Sequence, residues 1–263
     1  MIFISDDLYL KEDVDPFFDL RLSRIGYISH GESAVATSTA AEYSSGHVLT
    51  DTTYDRWKPI GEGQSITIDL GQIRNIDYIG IAAHRLTGIN VQVLASEVDA
   101  DYELLSEFVP TTNDAIMLLY DTTSVRYVRI TIAEAREIGV VKIGTALIVE
   151  RAIYGGHSPG MLSRETLKTP QMSESGEYLG TSIIRKGYVS SFTYENLRAS
   201  WYRQSFDPFV VHARSKPFFI AWRPATFPKE VLYAWTTEDI SPSNMGVRNL
   251  MTVSFNARGY DER

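Results

Sequence analysis

A mainly β protein, built as two sandwiches with one flanking helix, is what the sequence predicts, and three observations carry it. Between Gln64 and Ala83 two short runs alternate apolar and polar residues, Ile66/Ile68/Leu70 and then Ile76/Tyr78/Ile79/Ile81. Near the other end, Met251, Val253, Phe255 and Ala257 alternate with Thr252, Ser254 and Asn256. Period-two patterning over runs this short marks strands with one buried face. A helical spacing stands out in one place, where Leu197 and Trp201 fall four apart in Glu195 to Phe206, ahead of the stop signal Asp207-Pro208.

The chain divides on these patterns into residues 1–33, an N-terminal strand and arm; 34–154, a first sandwich; 155–186, a linker or arm; and 187–263, a second sandwich with its helix at 195–206. Residues 1–33 hold Ile2-Phe3-Ile4, then acids, then Phe17, Phe18, Leu20, Leu22 and Ile25. That many apolar groups fit either packing on the sandwiches or reaching a neighbouring subunit. In the first sandwich, strands are expected at 66–70, 76–81, 90–94, 115–120 and 125–132, and the apolar run VVKIGTALIVERAIY closes it. The cluster Gly155-Gly156-His157-Ser158-Pro159-Gly160 breaks the pattern and is read as the boundary. Residues 161–186 are polar with few anchors and read as an extended connection or arm, the kind of long segment that serves interaction. Further strands are expected at 188–194, 209–213, 218–222, 231–236 and 250–257.

Composition narrows function more by exclusion. The 263 residues include no cysteine, so disulfides, thiolate metal sites and cysteine nucleophiles are ruled out. A formal charge of −8 disfavours general affinity for nucleic acid phosphates. The start, MIFISDDLYLKEDVD, lacks the basic and long apolar regions of a signal peptide, and no run reaches the ~20 apolar residues of a membrane span.

Catalytic signals are weak, and no enzyme is expected. Gly156-His157-Ser158-Pro159-Gly160 has the G-x-S-x-G spacing of a nucleophile elbow. The residue after the serine must offer an N–H to the oxyanion, and Pro159 has none. The five histidines are scattered without metal-ligand spacing, and no phosphate-cradling glycine motif occurs.

Two resemblances then fix the expectations. Trp57, followed by Ser65-Ile-Thr-Ile-Asp-Leu-Gly71 and later by Ser124-Val-Arg-Tyr-Val-Arg-Ile-Thr-Ile132, resembles the discoidin, or coagulation factor 5/8 type C, group of galactose-binding-like jelly rolls. That resemblance implies a jelly roll over residues 34–154 whose loop end holds a sugar against an aromatic ring, with Tyr54, Trp57, His84 and Arg85 as the candidates. It equally implies the plainer and preferred role for Trp57, a plug at the end of the core. The same group uses an acidic loop for calcium. Here Asp51 and Asp55 are kept, but Thr52 stands where a glycine is usual, which makes the tight turn for six to eight oxygen ligands harder and favours a solvated loop.

The order Arg24-Ile-Gly-Tyr-Ile28, Ala34-Val-Ala-Thr-Ser38 and Thr53-Tyr-Asp-Arg-Trp57, with Lys216-Pro-Phe-Phe-Ile-Ala-Trp-Arg-Pro224 and Met251-Thr-Val-Ser-Phe-Asn-Ala-Arg-Gly-Tyr260, also resembles distal-tail and tail-tip proteins of long-tailed bacteriophages. This implies a second domain related to the tail-tube fold. It further implies a homo-oligomeric ring, trimeric or hexameric, with tail-tube and tail-tip hub proteins as partners, made in the host cytoplasm and resident in the virion. Phe17, Phe18, Arg126 and Arg129 are the interface candidates, and a host surface glycan is a further partner. The alternative is a carbohydrate-binding adhesin that assembles no ring.

Overall fold

In the computed structural model, residues 1–15, 18–155 and 157–261 are described. In chain order the elements are β1 (Ile2–Ile4), helix α1 (Asp6–Val14), β2 (Arg24–Gly26), β3 (Ser33–Ala36), β4 (Gln64–Ala82), β5 (Val91–Ser96), β6 (Glu103–Phe108), β7 (Ile116–Ile132), β8 (Val140–Gly144) and β9 (Leu147–Ile148). The second half holds β10 (Arg164–Met172), β11 (Tyr178–Arg198), α2 (Ala199–Trp201), a π-helical turn (Tyr202–Phe206), α3 (Asp207–Ala213), β12 (Phe218–Ala221), β13 (Val231–Thr236), β14 (Ser241–Asn244) and β15 (Leu250–Gly259). The protein is mainly β, as its sequence predicts.

The first sheet runs β3-β4-β7-β5-β6, with β1 parallel to β7 and β8 against β4. Its two long strands do the work of four. The runs expected to be separate strands at 66–70 and 76–81 are one strand, β4, and those at 115–120 and 125–132 are one strand, β7. Their pairing slips between Asp69 and Arg74 and again between Ile76 and Tyr78. The early half of β4 and the late half of β7 carry β3 and β5, while the other halves carry β8 and β1. Ile66, Ile68 and Leu70 thereby meet Ile79, Ile81 and Leu118 in one core, and the folded-over sheet forms a β-sandwich.

The second sheet runs β10-β11-β15-β13-β12-β2-β9, with β14 against β15. The N-terminal segment therefore serves both sheets, β1 in the first and β2 in the second. The chain crosses between the sheets within Thr145 and Ala146, directly after β8. One face of the second sheet buries Phe192, Tyr194, Phe218, Ile220 and Phe255 against the helical segment through Phe206 and Phe209.

Several local expectations are corrected here. Residues 195–198 continue β11, with a bulge at Asn196 (φ 59°), rather than opening the helix. Pro208 does not end the helix: the π-helical turn Tyr202–Phe206 runs directly into α3, with Pro208 as its second residue. Residues 209–213 are accordingly helical rather than a strand. A further helix, α1, also forms; it buries only Leu8 and has Asp6 and Asp7 in its first turn, where the helix dipole favours acids. Finally, most of residues 161–186 is not an unstructured connection but the projecting hairpin of β10 and β11, paired from Arg164 with Tyr188 to Met172 with Tyr178. Both faces of that hairpin are open, so it carries no alternation to read.

The sheets meet through a third core containing Tyr78, Ala82, Met117 and Leu119 from the first sheet and Phe219, Val231 and Tyr233 from the second. The approach is close. A Cβ on Gly80 would lie 2.5 Å from the Phe219 ring, and one on Gly26 would strike the ring of Tyr78. Gly80→Ala is expected to cost about 1–3 kcal/mol of stability through this overlap. Phe219→Leu in the same chain should recover part of the loss, and denaturant unfolding of the two single variants and the pair measures both effects.

Candidate functional site

The loop end of the first sandwich is organised by one isolated bridge. Trp57 and Ile138 exchange backbone hydrogen bonds of 2.8 and 3.0 Å, and both side chains are fully buried. In extended backbone the neighbours of an inward residue point outward. Arg56, Lys58 and Glu137 are thus turned to the same outer side. Glu137 Oε2 lies 3.2 Å from Arg56 Nη1 and 3.5 Å from Arg85 Nε, and Oε1 lies 3.4 Å from Lys58 Nζ. Arg56 Nη2 also donates to the Tyr260 hydroxyl at 3.1 Å, tying the C-terminal strand to this floor.

Over that floor opens a cleft of about 620 Å³, whose walls include Tyr43, Tyr54, Asp55, Arg85 and Tyr260. Tyr54 is 91 % exposed. Its loop is braced by two hydroxyl hydrogen bonds: Thr50 Oγ1 donates to His47 O at 2.9 Å, and Thr52 Oγ1 donates to Asp55 Oδ2 at 2.8 Å. The ring is therefore presented to solvent from a fixed support rather than from a loose tip.

Of the four residues expected at a sugar site, Tyr54 and Arg85 come together on this cleft. The other two lie in the interior. Trp57 is the core plug, its Nε1 donating to Ser38 O at 3.1 Å. His84 is fully buried; its Nδ1 accepts from the Leu86 amide, which leaves Nε2 as the protonated nitrogen, donating to Asp114 O at 2.9 Å.

The acidic loop does not fit calcium. Asp51 Oδ1 lies 2.7 Å from the ammonium of Lys142, whose charge opposes a second cation, and Asp55 is occupied by Thr52. Among the described residues no cluster of three or more His, Asp or Glu side chains could hold a metal ion. Phe17 lies outside the described residues, as does Gly156 of the glycine cluster. Phe18 packs on the inter-sheet core between Lys11 and Arg24, 5.4 and 5.5 Å from its ring. Arg126 makes a two-pronged pair with Asp69, at 2.9 and 3.0 Å, which holds the Asp69 carboxyl below the usual carboxylate range. Arg129 lies over the Tyr102 ring at 3.8 Å.

Sequence reasoning missed Tyr43, Arg56, Glu137 and Tyr260. The alternation in Arg56-Trp57-Lys58 was available in the sequence, but its partner Glu137 is some eighty positions away and only the Trp57–Ile138 bridge aligns them. No described helix is long and apolar enough to cross a membrane.

No family model matches this sequence, and no curated protein does. Among solved structures the chain is similar to the family 32 carbohydrate-binding module of AlyQ in complex with 4,5-unsaturated mannuronic acid, at 19 % identity over 44 % of this chain and 97 % of that one, with a TM-score of 0.40. It is similar also to the family 32 module of NanJ from C. perfringens in complex with galactose, at 16 % identity over 42 % and 91 %, TM-score 0.39. A chitosan-binding module from a Paenibacillus chitosanase/glucanase aligns at 13 % identity over 45 % and 97 %, TM-score 0.39. At these values the function rests on the chain's own residues.

Trp57→Ala should cost about 3–5 kcal/mol, the price of emptying a buried aromatic site, whereas Tyr54→Ala should leave stability within about 0.5 kcal/mol. Thermal and denaturant unfolding of the two variants separates the plug from the presented ring.

Proposed function

We propose that this is a carbohydrate-binding protein and that the saccharide occupies the cleft bordered by Tyr43, Tyr54, Arg85 and Tyr260. The observation that carries the reading is the fixed, solvent-presented ring of Tyr54 beside a floor of charged hydrogen-bonding groups. A sugar ring has an apolar C–H face and a rim of hydroxyls. Binding it calls for an aromatic surface under the first and convergent donors and acceptors around the second, within a concave site. Asp55, Glu137, Arg56 and Arg85 supply the polar partners. Glu42, Asp55 and Glu137 stand against Arg56 and Arg85 in this lining, with Lys58 paired to Glu137 beneath, so the cleft has no excess of cations to hold an anion and its ligand is a neutral sugar. The activity proposed is recognition without chemical conversion.

The test is titration of isotope-labelled protein with galactose, N-acetylglucosamine and lactose, following backbone amide resonances of Tyr43 and Arg85. Saturable shifts at both are expected, and Tyr54→Ala should weaken binding by roughly 5- to 10-fold, the worth of about 1 kcal/mol of ring contact. A panel of neutral sugars that moves neither amide would remove the proposal.

A second reading, the structural tail-tip component of a long-tailed phage, is favoured by the β10–β11 hairpin. Leu167, Met172, Tyr178, Leu179, Ile183 and Ile184 are all exposed on it, an apolar surface larger than single scattered side chains account for. Subunits of a ring meet head to tail through such projecting elements. In this reading the protein self-associates in the virion and joins tail-tube and hub proteins. Light scattering should give a closed oligomer, trimer or hexamer, that falls to a monomer when residues 168–183 are replaced by an Asn-Gly turn. A chain that stays monomeric at high micromolar concentration, with or without the hairpin, would eliminate it.

A further inference from the structure

A second cleft, of about 490 Å³, adjoins the first, and Thr53 and Tyr54 border both. One wall is the Asp51–Tyr54 loop of the first sandwich. The other wall comes from the second sheet: the turn Ala213–Pro217 that follows α3, and the end of β13 with Tyr233 and Trp235. Along β13 the inter-sheet face carries Val231, Tyr233 and Trp235 in turn. The first two are buried in the core between the sheets, and Trp235 emerges at its edge, 40 % exposed. Two aromatic side chains, Tyr54 and Trp235, thus border one cleft from opposite sheets.

The base of this cleft is assembled and fixed. Lys142 is almost wholly buried; its Nζ lies 2.7 Å from Asp51 Oδ1 and donates to Pro217 O at 2.9 Å. The Tyr233 hydroxyl donates to Asp51 O at 2.7 Å. Burial pushes the Lys142 pKa down, the Asp51 hydrogen bond holds it up, and the nearby Lys216 pushes it down again, so Lys216 and Lys142 place their charges in the same region. Arg214 stands on the rim, with a loose and solvent-exposed pair to Asp239 at 3.6 Å. Such a pair is worth little and exchanges readily. Two cations, Arg214 and Lys216, line this cleft, and its single carboxylate, Asp51, is already paired with the buried Lys142, in a chain whose net charge is −8, while the adjoining cleft has no excess of cations. The lining charge therefore differs across Tyr54.

We propose that the second cleft is a subsite for an acidic sugar. A glycan would lay a neutral ring in the first cleft, cross the ridge of Tyr54, and seat a carboxylate-bearing sugar between Tyr54 and Trp235, its anion on Lys216 and Arg214. The carboxylate finds charge-assisted donors, and its ring finds aromatic surface on either side. The preference for an oligosaccharide over a single sugar follows from the adjacency of the two clefts. This inference rests on the carbohydrate reading of the first cleft.

Matched probes test it: lactose against sialyllactose, and galactotriose against trigalacturonic acid, each with calorimetric affinity and with the Trp235 indole N–H followed by NMR. The acidic member of at least one pair should bind ~10-fold more tightly, as a charge-assisted contact predicts. It alone should move the Trp235 indole. The gain should vanish in Lys216→Gln and in Trp235→Ala, both exposed positions whose variants are checked for unchanged thermal unfolding, and should shrink as salt is raised. Equal affinity within both pairs, or a gain that survives both variants, overturns the acidic subsite and leaves the first cleft's reading standing. Acidic probes that move the Trp235 indole but not the Tyr43 and Arg85 amides overturn the first reading and keep the subsite. Probes that move neither cleft at millimolar concentration overturn both.

Discussion

The closeness of the two sheets is the constraint on which the rest of this molecule depends. Side chains filling the gap are large, Tyr78, Phe219 and Tyr233 among them, and room for them exists because Gly80 faces the Phe219 ring and Gly26 faces Tyr78. Tyr78 is fully buried and donates its hydroxyl to the carbonyl of Ile28, in the segment that leaves the second sheet for the first. Burial and the nearby Asp77 carboxylate push the Tyr78 pKa well up, so the phenol stays a donor. A jigsaw of this kind tolerates neither added volume nor lost volume cheaply, and it makes the two sheets one packed body at this contact.

Both clefts are consequences of that packing. With the sheets fixed, the Asp51–Tyr54 loop of the first lies against the end of β13 in the second, held by the Tyr233 hydroxyl and the Lys142–Asp51 pair. On the other side of the loop, Arg56 reaches Tyr260 beyond the C-terminal strand. Tyr54 is thereby raised as a ridge between two openings whose lining charges differ. Neither opening belongs to one sandwich alone: the first includes Tyr260, and the second is walled by Trp235 and Lys216. The proposed recognition of a mixed neutral and acidic glycan is a property of the junction.

Some of this was legible in the sequence and some was not, for identifiable reasons. The alternation at Ile66/Ile68/Leu70 and at Met251/Val253/Phe255 gave strands because one face of each is buried and the other is not. A polar stretch such as Gly71 to Asn75 has the composition of a turn between two strands, yet β4 passes through it with a slipped register, since a bend in a long strand and a turn have the same polar composition. The hairpin leaves no signal in the sequence because both its faces are open and nothing forces alternation. The helix was displaced because Pro208, a stop signal in isolation, falls where the π-helical turn runs directly into α3, and because Glu195 to Arg198 pair with β15 through a bulge. At the site, the resemblance offers Tyr54, Trp57, His84 and Arg85, and the structure places Trp57 and His84 in the interior.

The sequence by itself determined the class of the fold, since one-face-buried strands follow from short-range alternation. Only the tertiary structure decided which side chains share a cleft. Arg56 meets Glu137 through one isolated bridge, Asp51 meets Lys142 across the sandwich, and Tyr54 shares its cleft with Trp235 across two sheets. Contacts between residues eighty or more positions apart depend on register and on the distance between layers, and neither quantity is written in local periodicity.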